Sequence, residues 1–166
     1  MLVVGSVKLP AHIEAKNACV NILCNDGKSF KWCVIAHKYP VTSNQRPQRV
    51  SSYYAQHEEY DGYKYPMEVQ NIRNFERKER IAVNVYCITD EGTINTLQCS
   101  DMPPGSASMH VDMLKVGEHY VLIRSLSRLV RSQITGRKHE HFICRRCLDF
   151  CTSERIIADH MEGRKP

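Results

Sequence analysis

The chain has 166 residues, 42% hydrophobic and 25% charged, with 8 Gly and 7 Pro. This is the composition of one globular domain, or of one domain with a small appended module. It excludes collagen-like, low-complexity and long disordered classes. The net charge is +5, and its placement is uneven. Residues 1–123 carry 13 basic and 13 acidic side chains, whereas residues 124–166 carry 10 and 5. A local basic excess points to a polyanion partner. No apolar run reaches the roughly 18 residues of a membrane span. The start, Met1-Leu-Val-Val-Gly5, lacks the basic flank of a signal peptide. An intracellular chain is therefore expected, and its 8 cysteines are not read as a disulfide framework.

In chain order, Ala18 to Cys24 predicts a strand, and Asn25-Asp-Gly-Lys28 predicts a turn. Ser29 then caps a helix over Phe30 to His37, which ends before Pro40. Pro40 to Val50 is a loop, and Ser51 to Tyr60 a short helix. Val69, Ile72 and Phe75 sit at helical spacing within Met67 to Lys78. Ile81 to Ile88 is a buried strand, Asp90-Glu-Gly92 a hairpin turn, and Ile94 to Cys99 the returning strand. After a loop over Asp101 to Ser108, Met109 to Val116 and His119 to Arg124 form two strands joined at Gly117-Glu118. Leu126 to Ile134 is a basic, partly helical link. The order predicts an α+β fold: a small, mostly antiparallel sheet with packed helices. A domain over 1–126 is expected, followed by a basic module over 127–166.

Cys19, Cys24, Cys33, Cys87 and Cys99 lie in apolar stretches and read as small buried hydrophobes. Cys144 and Cys147 differ. Thiolates two residues apart fit a tight knuckle around one tetrahedral ion, and His160, on a helix over Thr152 to His160, adds a third ligand. Phe142 and Ile157 match the small apolar core of a ββα zinc finger. A Zn2+ site at Cys144, Cys147 and His160 is expected. The window for a fourth ligand holds Arg164, Lys165 and Pro166, so Cys151, His139 or His141 substitutes, or the chain stops short of it.

A second constellation pairs Ser29, at a helix start, with His119 on a later strand. That order is the one used by papain-like cysteine proteases, with the His as general base. Here the nucleophile position holds serine, and no Asn or Asp follows His119 before Asp149. The alternative to catalysis is a structural Ser29 and a strand-edge His119. His110 and Asp112 alternate on one strand and share a face, which reads as strand surface rather than as a site. Tyr53, Tyr54, Tyr60, Tyr63 and Tyr65 either pack a helix on the sheet or stack on bases.

Several strings occur in a recognisable order: Ala18-Cys-Val-Asn-Ile22, Asn25-Asp-Gly-Lys-Ser-Phe-Lys-Trp32, Tyr65-Pro66, Phe75-Glu76, Ile81-Ala-Val-Asn-Val-Tyr86, His110-Val-Asp-Met-Leu114, His119-Tyr-Val-Leu-Ile123, Leu126-Ser-Arg-Leu129 and Phe142 to His160. Together they resemble a region encoded by Maverick/Polinton transposons and adintovirus-like elements. In those elements it precedes a protein-primed family B DNA polymerase. The resemblance spans about Leu9 to His160. It implies a mobile element or its domesticated remnant, DNA as a partner, and a nuclear setting. The family pattern has Cys at the position of Ser29, Asn at that of Ser125, and a Cys shortly after His160. This chain departs at all three. No polymerase motif is present.

The expected function is a non-catalytic, nucleic-acid-associated module that binds zinc. Its expected DNA contacts, through phosphates, are Arg124, Arg128, Arg131, Arg137, Lys138, Arg145 and Arg146. A protein partner or a downstream polymerase domain is also expected. The alternative is a papain-like fold, inactive because Ser29 replaces the nucleophilic Cys.

Overall fold

The six residues Ile81 to Tyr86 are all buried, which places strand β2 (Ile81–Ile88) inside a sheet rather than at its edge. The computed structural model, which describes residues 7–42, 44–134 and 142–151, shows a five-stranded sheet of order β1-β5-β4-β2-β3. Strand β1 is Cys19–Val20, β3 is Ile94–Gln98, β4 is Met109–Val116 and β5 is His119–Ile123. The helices are α1 (Ala11–Glu14), α2 (Ser29–Lys38), α3 (Val69–Glu79) and α4 (Leu126–Ile134), with a 3-10 turn over Val50–Gln56. Phe142–Ile143 (β6) and Phe150–Cys151 (β7) form a separate antiparallel hairpin. The fold is α+β.

Both predicted hairpins form. Gly92 (φ 83°) and Gly117 (φ 60°) occupy the left-handed turn positions that favour glycine. Strand β4, however, runs parallel to β2, with Ala82 opposite His110 and Asn84 opposite Asp112. After β3, the loop over 99–108 carries the chain back to the far side of β2. The sheet is therefore mixed. The predicted strand over Ala18 to Cys24 shrinks to two paired residues, Cys19 against Ile123 and Val20 against Leu122. Beyond them Leu23 N–H turns to the Gln48 carbonyl at 2.8 Å.

Alternation along the strands assigns side chains to two faces. Val83, Val85, Val111, Met113, Tyr120 and Leu122 pack with α2 and α3. Tyr86, Leu114, Val121 and Ile123 pack on the opposite face with Ile13 of α1, Leu129 of α4, and Ile143 and Leu148 of the hairpin. The expected boundary at 126/127 falls at the first residue of α4, whose Leu126, Leu129 and Val130 are all buried in this second core.

Helix α3 buries Ile72, Phe75 and Glu76, the spacing of one helical face. Glu76 Oε1 accepts from Val83 N–H at 2.8 Å. It does so on the stretch of β2 that precedes the β3 pairing, which starts at Val85. The tyrosine-rich segment is mainly packing material. Tyr60 and Tyr63 meet Phe75 edge-on at 5.4 and 5.0 Å, and Tyr53 is buried. Tyr54 is the exception, exposed and stacked on His57 at 4.4 Å. No helix among the described residues is long and apolar enough to cross a membrane.

Candidate metal centre

The Cys144-Arg-Arg-Cys147 segment is the turn of the β6–β7 hairpin. Cys144 N–H donates to the Asp149 carbonyl and Leu148 N–H to the Cys144 carbonyl, both at 2.8 Å. Leu148 takes φ 63°, the left-handed conformation that closes such a turn. These bonds fold the two cysteines back on each other. The Cys147 thiol has Cys144 and Asp149 as its neighbours; desolvation pushes it up to about 11, opposed by a backbone hydrogen bond at Asp149 and reinforced by the side chains of Cys144 and Asp149. Cys144 is buried and Cys147 exposed. Two thiols on a tight knuckle suit a soft divalent ion such as Zn2+, so this half of the donor set fits. Among the described residues, no group of three or more His, Cys, Asp or Glu is placed to hold a metal ion. His160, His139 and His141 lie outside the described residues, as does the predicted helix over Thr152 to His160.

Beneath the knuckle runs a polar strip on the second face of the sheet. Asn84 Nδ2 donates to Asp112 Oδ1 at 3.0 Å. Asn84 Oδ1 accepts from Ser100 N–H at 2.9 Å and from the Cys99 thiol at 3.3 Å. Arg145 Nε sits 3.2 Å from both oxygens of Asp112. This corrects one expectation: Asp112 is not strand surface; it is 9% exposed and fully partnered. Arg145, an expected phosphate contact, pairs through Nε with Asp112 while its side chain stays 41% exposed. His110 is exposed, and His119 lies at the other end of the β4–β5 pair, opposite Val116.

Of the remaining basic candidates, Arg124, Arg128 and Arg146 are exposed and Arg131 is half-buried. Arg128 also donates to the Asn17 carbonyl at 3.2 Å. Arg137 and Lys138 lie outside the described residues.

Ser29 is buried and is the first residue of α2 rather than its cap, a position taken by Lys28. Its hydroxyl instead accepts from the backbone N–H of Tyr120 at 2.9 Å, which docks the helix onto β5. His119 is next to that contact in sequence but not in chemistry. Tyr120 points towards α2 and Val121 away from it, so alternation turns the His119 ring to the opposite side. There its Nε2 pairs with Asn21 Oδ1 at 2.9 Å. No side-chain hydrogen bond joins Ser29 to His119. Cysteine chemistry is suppressed nearby as well: burial pushes Cys19 and Cys24 up to about 12 and Cys33 well above its ordinary value. Cys19, Cys87 and Cys99 are only half-buried, so the reading as buried hydrophobes holds fully for Cys24 and Cys33.

Burial lowers the pKa of His119 below 6.5, so the ring is neutral and donates to Asn21. The unfolded chain binds that proton more readily. Stability is therefore full above about pH 6.5 and falls as pH drops through that value towards the folded pKa. His37, also lowered mainly by burial, adds with the same sign. Urea denaturation at neutral and mildly acidic pH should show a smaller acid loss in His119→Gln than in the parent. Equal losses would show that the imidazole carries none of the effect.

Asn21, Asn84 and the Asp112–Arg145 pair were not foreseen from the sequence. The polar residues Asn84 and Asp112, each inside an otherwise apolar strand, were the available signal. No protein-family model, no curated protein and no solved structure matches this chain.

Proposed function

We propose that this chain is a non-catalytic, metal-binding module that associates with DNA. The observation that carries the reading is the hairpin turn that folds Cys144 and Cys147 together, with Leu148 at φ 63° closing it. Zn2+ is the ion that suits the two thiols. His160 is the proposed third ligand, and its placement rests on the sequence spacing. DNA contact is supported by the basic excess of residues 124–166 and by the exposure of Arg124, Arg128 and Arg146. Contacts of this kind fall on phosphates, so binding is largely sequence-independent and weakens with salt. Such a module would serve a polymerase domain in the nucleus, as the resemblance to Maverick/Polinton-type elements implies. The papain-like alternative has one point in its favour, the seating of the α2 N-terminus against the strand that bears His119. The separate partners of Ser29 and His119 weigh against hydrolysis.

Elemental analysis of the purified chain should find zinc near one equivalent, lost when Cys144 and Cys147 are both changed to serine. DNA titrations at two salt concentrations should show weaker binding at the higher one. A metal-free protein would overturn the zinc assignment, and absent or salt-independent binding would overturn the DNA assignment.

A further inference from the structure

We propose that the strip formed by Asn84, Asp112, Tyr86 and Thr96 is a seat that positions the Cys144–Cys147 knuckle, so that metal occupancy and the stability of the five-stranded sheet are coupled. The proposal rests on the metal reading above.

Arg145 lies between the two cysteines, and three strands hold it. Its carbonyl accepts from Tyr86 Oη of β2 at 3.1 Å and from Thr96 Oγ1 of β3 at 3.4 Å. Its Nε sits on Asp112 of β4 at 3.2 Å. On either side of the knuckle, Ile143 and Leu148 are buried in the core shared with Leu114, Val121 and Leu129. The seat is rigid because its own polar groups are partnered: Asn84 orients Asp112, and Ser100 N–H and the Cys99 thiol orient Asn84. An isolated finger takes its turn geometry from the ion. Here the sheet supplies part of that geometry, which lowers the ordering cost of bringing two thiols to one ion. By linkage, an ion bound to the thiols must stabilise the sheet that holds them, and by the same factor. Asp112 is thus a positioning residue for the cysteines, and Arg145 is the link between them.

The test is a Co2+ titration of the full chain, read by the thiolate-to-cobalt absorption, alongside thermal melts with and without Zn2+. In the parent, Zn2+ should raise the melting temperature of the whole domain, and this rise should vanish when Cys144 and Cys147 are serine. Asp112→Asn turns an acceptor facing Arg145 into a donor. It should weaken Co2+ binding by about tenfold or more, the usual range for outer-shell partners of a metal site. Tyr86→Phe removes a single hydroxyl and should weaken it by less, and it carries the test if the first variant fails to fold. Ile72→Val, on the opposite face of the sheet, should lower stability while leaving Co2+ affinity unchanged. Loss of affinity there too would make the Asp112 effect merely structural and overturn the proposal. Unchanged affinity in both Asp112→Asn and Tyr86→Phe, or a melt that Zn2+ does not move, overturns it as well, while the metal reading stands. A parent that binds no Co2+ fails both.

Discussion

Replacing Phe75 with alanine is expected to cost about 3–5 kcal/mol of unfolding free energy, the range for truncating a fully buried aromatic. Phe75 is 0% exposed. Its ring meets Phe30, Tyr60 and Tyr63 edge-on at 5.0, 5.4 and 5.0 Å, so four aromatics from α2, α3 and the segment between them share one contact. Edge-to-face pairs add about 0.5–1.5 kcal/mol each beyond area burial. Relaxation is restricted because Phe30 is also held edge-on by Tyr120 at 5.3 Å. Urea denaturation followed by circular dichroism measures the loss. A change below about 1 kcal/mol, the size of an ordinary surface substitution or little more, would mean that this cluster does not hold α3 to the sheet.

Leu129→Ala is the matching experiment on the other face, expected to cost about 2–5 kcal/mol. Leu129 is 0% exposed and packs with Ile13, Leu114 and Val121, and its carbonyl accepts from Lys16 Nζ at 2.7 Å. The important readout is the shape of the transition as well as its midpoint. If α4 is part of the body, the variant melts in one cooperative step at lower denaturant, because the second core couples α4 to the sheet. If α4 instead heads an independent module, the sheet keeps its parent midpoint. That second result would support the boundary expected at 126/127.

Much of the fold was legible because its signals are local. The run Ile81–Ile88 and the returning strand after Gly92 followed from an apolar stretch, a turn glycine and strand-length spacing. Helix α3 followed from Val69, Ile72 and Phe75. The knuckle was readable for the same reason: two cysteines with two residues between them. The short α1 was missed, since Ala11–Glu14 has only one buried residue, Ile13, and no periodicity to detect. Ser29 was placed one position wrong at the helix start, and its actual partner, Tyr120 N–H, lies 91 residues away.

The +5 charge remains concentrated after residue 123, but its members differ in what they are free to do. Composition located the basic region and spacing located the cysteines; both are properties of neighbouring residues. Which arginine faces solvent and which is bound to a carboxylate depends on strand order. The parallel pairing of β2 with β4 sets Asn84 beside Asp112, and Asp112 in turn takes Arg145. Likewise, which face His119 occupies depends on strand register, because a shift of one residue exchanges the two sides of a sheet. Long-range pairing is decided by the packing of the whole chain, so the knuckle could be read from the sequence, whereas its seat became visible only in the fold.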